Sequence, residues 1–292
     1  YNIIVYGEMR MKKRLIIPLS IAAMTLASVT AVSAAQEPAV QPQYGVVSDY
    51  EMVGASNYAT YGQFKYSVNS NNEAVINGLT DEAASDTDIH LIIPAQINGY
   101  NVTRIEELAF QNNVNIKSVV FSEGLKTIGK SAFNGCNNLS GKLVIPSTVT
   151  KIGYDMYSSG AFADTAITSV EIKDGSEGLT INGSTFKNCK MLESVSLSDR
   201  IVSISYYAFE NDSNLSSVEF KEVQSNLTIG DSAFHNTAIK EVKLPSKTKT
   251  IGRYAFKDCA KLEKIEFNEG LTSIGNEAFG NDTSLGGVLS IP

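Results

Sequence analysis

The chain contains no tryptophan, only two histidines, three cysteines and seven prolines in 292 residues. Each scarcity removes a class of function. With His90 and His235 alone, nucleophilic catalysis has almost no base to draw on, and zinc has too few clustered Cys and His ligands. Three cysteines cannot all pair internally, so a disulfide-stapled architecture is excluded. Positive charge is also in deficit, with 24 Lys and Arg against 31 Asp and Glu. The resulting −7 repels a phosphate backbone, which excludes nucleic acid as the natural partner. One long apolar run exists, over residues 15–32, and nothing after it is long enough to span a bilayer.

That single run has the three parts of an export signal. Lys12, Lys13 and Arg14 form a basic start, an apolar stretch follows, and "SAAQ" offers small residues for cleavage after Ala34 or Ala35. The segmentation expected is an upstream extension at 1–10, a Sec-type signal peptide at 11–35 and a flexible leader at 36–60. An N-terminal β cap at 61–100 and a repeat region at 101–292 follow. An uncleaved membrane anchor is the rival for 11–35, but the small-residue exit fits a peptidase better. Cleavage makes the mature chain still more acidic and leaves it secreted or held at the cell surface, with no membrane insertion of its own.

What the chain has in abundance is one phrase. "SAFNGC", "YAFEND", "YAFKDC" and "EAFGND" belong to a series whose phenylalanines are Phe110, Phe133, Phe162, Phe186, Phe209, Phe234, Phe256 and Phe279. The steps between them are 23, 29, 24, 23, 25, 22 and 23 residues. Self-similarity at this period signals a stacked solenoid. Within a unit, pairs such as Val195 and Leu197, or Val218 and Phe220, alternate as a strand does. A second, shorter extended segment carries "LKTIG", "VTKIG" and "LTSIG". The Ala-Phe segment has room for a single α or 3₁₀ turn. Stacking then places phenylalanine over phenylalanine, because no unit of this size buries its apolar side alone.

Three details follow from the spacing. The 29-residue step holds one extra residue in "LSGKLVIP", expected to bulge its strand, and about five more over residues 154–160, expected to leave as a loop. Cys136, Cys189 and Cys259 each stand three residues after the phenylalanine, in units that are not neighbours. Two stacking steps of about 9–10 Å exceed the ~7 Å a disulfide tolerates, so the thiols are expected buried and unpaired. Ahead of the repeats, "QFKYSVNSNNEAVING" alternates, turns at "NSNN" and turns again at Asn77-Gly78, which reads as a capping hairpin. The repeat spelling resumes at 285–292 and breaks off mid-unit, so the natural protein is expected to continue.

The order Leu-x-x-Val-x-Leu, a turn, then Leu-x-x-Ile-Gly-x-x-Ala-Phe-x-x-Cys-x-x-Leu resembles the BspA-like leucine-rich repeat family over residues 101–292. Departures are Thr185 for alanine, and Asn113, Thr165, Asp212, Thr237 and Asp282 where cysteine is usual. The resemblance implies a leucine-rich repeat solenoid with one parallel β-strand per repeat and short turns on the other side. It also implies secreted or surface proteins of bacteria, some of them adhesins, and it supplies no catalytic residues.

The functional expectation is therefore a non-enzymatic recognition module with no cofactor or metal. Its partner is expected to be a host or microbial surface protein or glycan. The alternative is a structural spacer for an anchor or catalytic domain beyond Pro292. The residue between the two strand apolars faces outward and gives a column of Val120, Val144, Glu171, Ser196, Glu219, Lys243, Glu266 and Ser290. From it Glu171, Glu219, Lys243 and Glu266 are the candidate contact residues. Tyr154 and Tyr157, on the inserted loop, are the other candidates, since aromatics on an insertion mark contact sites. His235, directly after Phe234, reads as a turn position.

Overall fold

The computed structural model describes residues 58–153 and 160–286. The upstream extension, the signal segment, the leader up to residue 57, Tyr154, Tyr157 and Ser290 lie outside the described residues. The cap begins two residues earlier than its sequence boundary. Strands β1 (Ala59–Tyr61), β2 (Phe64–Val68) and β3 (Glu73–Leu79) form an antiparallel meander. Phe64 and Tyr66 alternate inward along β2. Its turn closes when Asn69 Oδ1 accepts from the amides of Asn71 and Glu73, at 2.9 and 3.0 Å, while Asn72 takes φ 57°. The second turn expected at Asn77-Gly78 is absent. β3 runs straight through it as a bulge, pairing Lys65 with Gly78 but Tyr66 with Ile76. Gly78 serves close approach as well: at φ 146° a Cβ there would meet the Ala109 carbonyl at 2.9 Å. A one-turn helix α1 (Asp81–Ala84), capped by the Thr80 hydroxyl, leads to β4 (Ile89–Ile93), β5 (Gln96–Ile97) and β6 (Tyr100–Ile105).

From there strands alternate between two columns. In chain order they are β7 (Ile116–Phe121), β8 (Thr127–Ile128), β9 (Ser140–Ile145), β10 (Lys151–Ile152), β11 (Ala166–Ile172), β12 (Leu179–Ile181), β13 (Ser194–Leu197) and β14 (Ile201–Ile204). β15 (Ser217–Phe220), β16 (Leu227–Ile229), β17 (Glu241–Lys243), β18 (Thr248–Ile251), β19 (Lys264–Glu266) and β20 (Ser273–Ile274) complete the set. The even-numbered strands join the cap in one continuous sheet, β1-β2-β3-β6-β8-β10-β12-β14-β16-β18-β20, with β5 beside β6. The others form β4-β7, β9-β11-β13-β15 and β17-β19. All pairings among the repeats are parallel.

Register is what lets like residues stack. Ile105, Ile128, Ile152, Ile181, Ile204, Ile229, Ile251 and Ile274 are successive partners across the long sheet, and all but the last are fully buried. The eight phenylalanines form one column, with neighbouring centroids 5.0–5.6 Å apart. Planes beyond the first pair lie within 13° of parallel, so the rings are offset-stacked. Phe133 to Phe256 are fully buried, Phe110 nearly so, and Phe279 half-buried. The bulge expected in "LSGKLVIP" falls instead on its neighbour: residues 140–145 of β9 pair consecutively, with Gly141 at φ 81°, and Thr168 of β11 is the residue left out where register shifts between Ile167 and Ser169. Ile152 and Phe162, on either side of the insertion, keep their places in the isoleucine and phenylalanine columns.

The Ala-Phe segment is not helical, contrary to the turn of α or 3₁₀ helix expected. Residues two before and two after the phenylalanines adopt left-handed backbone, Gly160 before Phe162 excepted, as at Ser184 and Asn188 (φ 58° and 62°) or Ser232 and Asn236 (φ 55° and 57°). Alternating right- and left-handed residues swings successive peptide planes so that every second N–H points along the stack. Phe186 N–H accordingly donates to Ala208 O and Asn188 N–H to Glu210 O in the next repeat, at 2.8 and 2.9 Å. The same bonds recur at Phe209, Phe234 and Phe256. This third, non-β ladder satisfies backbone groups that a helix would have satisfied internally. It also explains the Asn and Asp two residues after phenylalanine, since these tolerate the left-handed region best after glycine. The glycine of "Ile-Gly" answers to close packing: a Cβ on Gly252 would sit 2.5 Å from the Asp231 amide nitrogen.

Candidate functional site

The side chains expected to face outward do so among the described residues, with Ser290 outside them. Val120, Glu219, Lys243 and Glu266 are exposed, while Val144, Glu171 and Ser196 are partly exposed. Register joins Val144, Glu171, Ser196 and Glu219 as consecutive partners, and Lys243 with Glu266. A second outward column lies two residues earlier, where Ser169, Ser194 and Ser217 are partners, as are Glu241 and Lys264. The valines between the columns point into the core, because side chains alternate across a strand. The face changes character along the stack. Ile92, which is 50% exposed, pairs with the 58% exposed Val120. With Val144 they make the early part apolar, whereas Glu171 onward is charged. Ile92 was missed in the sequence because its strand was read as part of the cap.

Salt links brace part of the charged region. Lys142 bonds Glu171 at 2.5 Å and Lys264 bonds Glu266 at 2.6 Å, and these hydrogen bonds hold both carboxyls below their ordinary range. Glu219 and Lys243 make no ion pair among the described residues, so their charges are open to a partner. Tyr154 and Tyr157 lie outside the described residues.

Neither histidine occupies a catalytic setting. His90 Nδ1 lies 2.7 Å from Ser118 Oγ and its Nε2 3.5 Å from Asp88, but its side chain is 58% exposed and that of Asp88 73%. An open face of this kind gives such a trio no water-excluding wall. His235 is held between Glu210 at 3.3 Å and Asp258 at 2.9 Å, and Lys187 continues the row on Glu210. Among the described residues no group of three Cys, His, Asp or Glu could hold a metal ion.

The three cysteines are free and fully buried. Each thiol donates back to the phenylalanine carbonyl of the preceding repeat: Cys136 to Phe110, Cys189 to Phe162 and Cys259 to Phe234, at 3.1–3.2 Å. The non-cysteine residues at this position complete a column. Thr165 and Thr237 hydroxyls meet the Cys189 and Cys259 sulfurs at 3.3 and 3.2 Å. Asp212 and Asp282 accept the Cys189 and Cys259 amides at 2.7 and 2.8 Å. Their second carboxyl oxygens are buried without a partner. Desolvation pushes Asp212 far above its ordinary pKa and Asp282 up to about 7.

A buried arginine staples the corner between the columns. Arg200, 2% exposed, donates from Nε to Lys173 O at 2.9 Å, from Nη1 to Val149 O at 2.6 Å and from Nη2 to Pro146 O at 3.1 Å. Sequence spacing gives no hint of it, because its acceptors are main-chain carbonyls 27, 51 and 54 residues back.

Comparison with protein families matches the BspA type Leucine rich repeat region, in six copies, over residues 92–159 and 156–286. No curated protein sequence matches. Among solved structures, a leucine-rich repeat protein from Eubacterium ventriosum is 23% identical with TM-score 0.55, over 81% of this chain and 51% of that one. The T. pallidum Leucine Rich Repeat protein is 18% identical with TM-score 0.50, over 78% and 91%. A leucine rich cell surface protein from Faecalibacterium prausnitzii is 18% identical with TM-score 0.39, over 80% and 94%. At such identities the first two likenesses speak for the fold alone. Family match, two-column parallel architecture and stacked phenylalanines agree, and the chain belongs to the BspA-type leucine-rich repeat family.

Proposed function

We propose that this chain is an exported surface or secreted recognition module that binds a host or microbial macromolecule, protein or glycan, through the outward face of the β7-to-β19 column. The observation that carries this reading is the pair of in-register outward columns with Glu219 and Lys243 making no ion pair among the described residues. These side chains contribute nothing to the core, yet they repeat at strand spacing over an extended surface, which suits a partner that is itself extended. The apolar Ile92, Val120 and Val144 supply desolvated contact, and the charged part supplies orientation. Export rests on the signal-like segment at 11–35. This reading assigns the module no catalytic role.

A binding screen of the purified chain against matrix proteins and glycans tests this, followed by Glu219→Lys with Glu266→Lys and by Val120→Asp. Each variant is expected to weaken the captured ligand by about tenfold or more while thermal unfolding is unchanged. Retained affinity in both, with deletion of residues 155–159 also silent, removes this face from the reading.

A further inference from the structure

Two aromatic residues, Tyr207 exposed and Tyr254 half-buried, occupy backbone positions that do not suit them. The residue two before the phenylalanine is left-handed in seven repeats, and serine fills that place at Ser131, Ser184 and Ser232. Tyr207 and Tyr254 fill it in two other repeats, at φ 58° and 59°. A bulky side chain in this region is strained, so a turn requirement alone does not explain either tyrosine. Both rings are also held in place. The Lys187 ammonium lies 5.1 Å from the Tyr207 centroid and Lys257 lies 4.8 Å from that of Tyr254. Tyr206 meets Tyr207 edge-on at 5.5 Å. Tyr207 nevertheless remains 40% exposed. Fixed rings that keep part of their surface open lose little entropy when something stacks on them.

Beside these rings runs a column of side-chain amides. Asn188 donates to Asp164 Oδ1 at 3.0 Å, Asn211 to Asn188 Oδ1 at 3.2 Å and Asn236 to Asn211 Oδ1 at 3.0 Å. The series then stops, because Asp258 turns one oxygen to His235 and the other to Asn281. Asn236 is exposed and its carbonyl oxygen heads the column with no onward amide. This break falls in the repeat between the two tyrosines. They stand two repeats apart, about 9.6 Å at strand spacing, and the phenylalanines of the same repeats step by 5.1 and 5.2 Å. The cations here are already matched, Lys187 by Glu210 and Lys257 by Glu277.

The geometry points to a glycan-binding site on the turn edge, with Tyr207 and Tyr254 as stacking platforms and Asn236 between them, for a neutral, extended chain of β-linked hexose or N-acetylhexosamine. The ring face away from each lysine takes the apolar C–H side of alternate sugars, and the Asn236 amide takes hydroxyls. A neutral ligand follows from the matched charges, and an extended one from the two-repeat separation, which is close to the rise of a disaccharide in such a chain. The site lies on the turns, away from the β7-to-β19 face.

Calorimetric titration of the full chain with chitotetraose, cellotetraose and a heparin tetrasaccharide tests it. The wild type is expected to bind a neutral tetrasaccharide, and Tyr207→Ser and Tyr254→Ser each to weaken that binding by about tenfold or more. Because serine is what other repeats carry here, both variants are expected to keep or raise the unfolding temperature. Glu219→Lys with Glu266→Lys is expected to leave tetrasaccharide affinity unchanged, which separates this site from the sheet face. No binding of either neutral probe, preference for the heparin fragment, or a double tyrosine variant within about twofold of wild type overturns the proposal.

Discussion

Phe209→Ala tests the stacked column most directly. The ring is fully buried and lies 5.2 Å from Phe186 and 5.1 Å from Phe234, with planes 13° and 2° from parallel. Truncation forfeits about 1.5–3 kcal/mol of transfer free energy. A cavity remains as well, because both neighbours are pinned by backbone bonds to adjoining repeats and cannot collapse into it. The total expected is about 3–5 kcal/mol. Phe279 supplies the internal control. It is half-buried, with one stacked neighbour at 5.5 Å and one edge contact with Phe267. Phe279→Ala is therefore expected to cost roughly half as much. Denaturant unfolding followed by circular dichroism suits a chain without tryptophan. The midpoint and slope are compared for each variant, since a repeat array need not unfold in one step. A loss below about 1 kcal/mol at Phe209, or equal losses at the two positions, refutes the reasoning.

The buried carboxyls give a pH dependence of unusual sign. The folded pKa of Asp282 is raised to about 7 from an ordinary 3.8, chiefly by desolvation. The folded state therefore keeps a proton the unfolded chain gives up, and this contribution is full at acid pH and lost as pH rises through about 7. Thermal unfolding from pH 4 to 8 is expected to show wild type losing stability relative to Asp282→Asn as pH rises, and a widening advantage for wild type would contradict it. Asp212→Asn is expected to act in the same direction. Arg200→Lys and Arg200→Ala are each expected to cost about 3 kcal/mol or more, because one ammonium cannot reach three separated carbonyls and alanine leaves them unpaired; chemical denaturation measures this. Burial pushes the thiols up, Cys136 to about 12 and Cys259 to about 11. A thiol reagent at neutral pH is expected to label none of the three in the native chain and all in denaturant; rapid native labelling counts against the buried column.

The period, the two extended segments and the phenylalanine column are legible in the sequence because each is a local pattern that stacking merely repeats. The burial of the unpaired cysteines is legible for the same reason, since a fixed place in the unit becomes a fixed place in the interior. The helical reading of the Ala-Phe segment fails because spacing records which residues turn inward and not where the backbone donates. Here the donors go to the next repeat, and left-handed residues at both flanks decide it. Asn77-Gly78 fails likewise: the same dipeptide serves a turn or a bulge, and only the partner strand β2 and the approach of Ala109 select the bulge.

By itself the sequence determined the repeat, its register and which side chains enter the core, since burying a periodic apolar pattern admits one stacking. Tertiary structure alone decided that Arg200 closes a corner, that Ile92 extends the apolar part of the outward face, and that Tyr207, Asn236 and Tyr254 meet on one edge. Those relations join residues whole repeats apart through hydrogen bonds and strand register, and no local period encodes them.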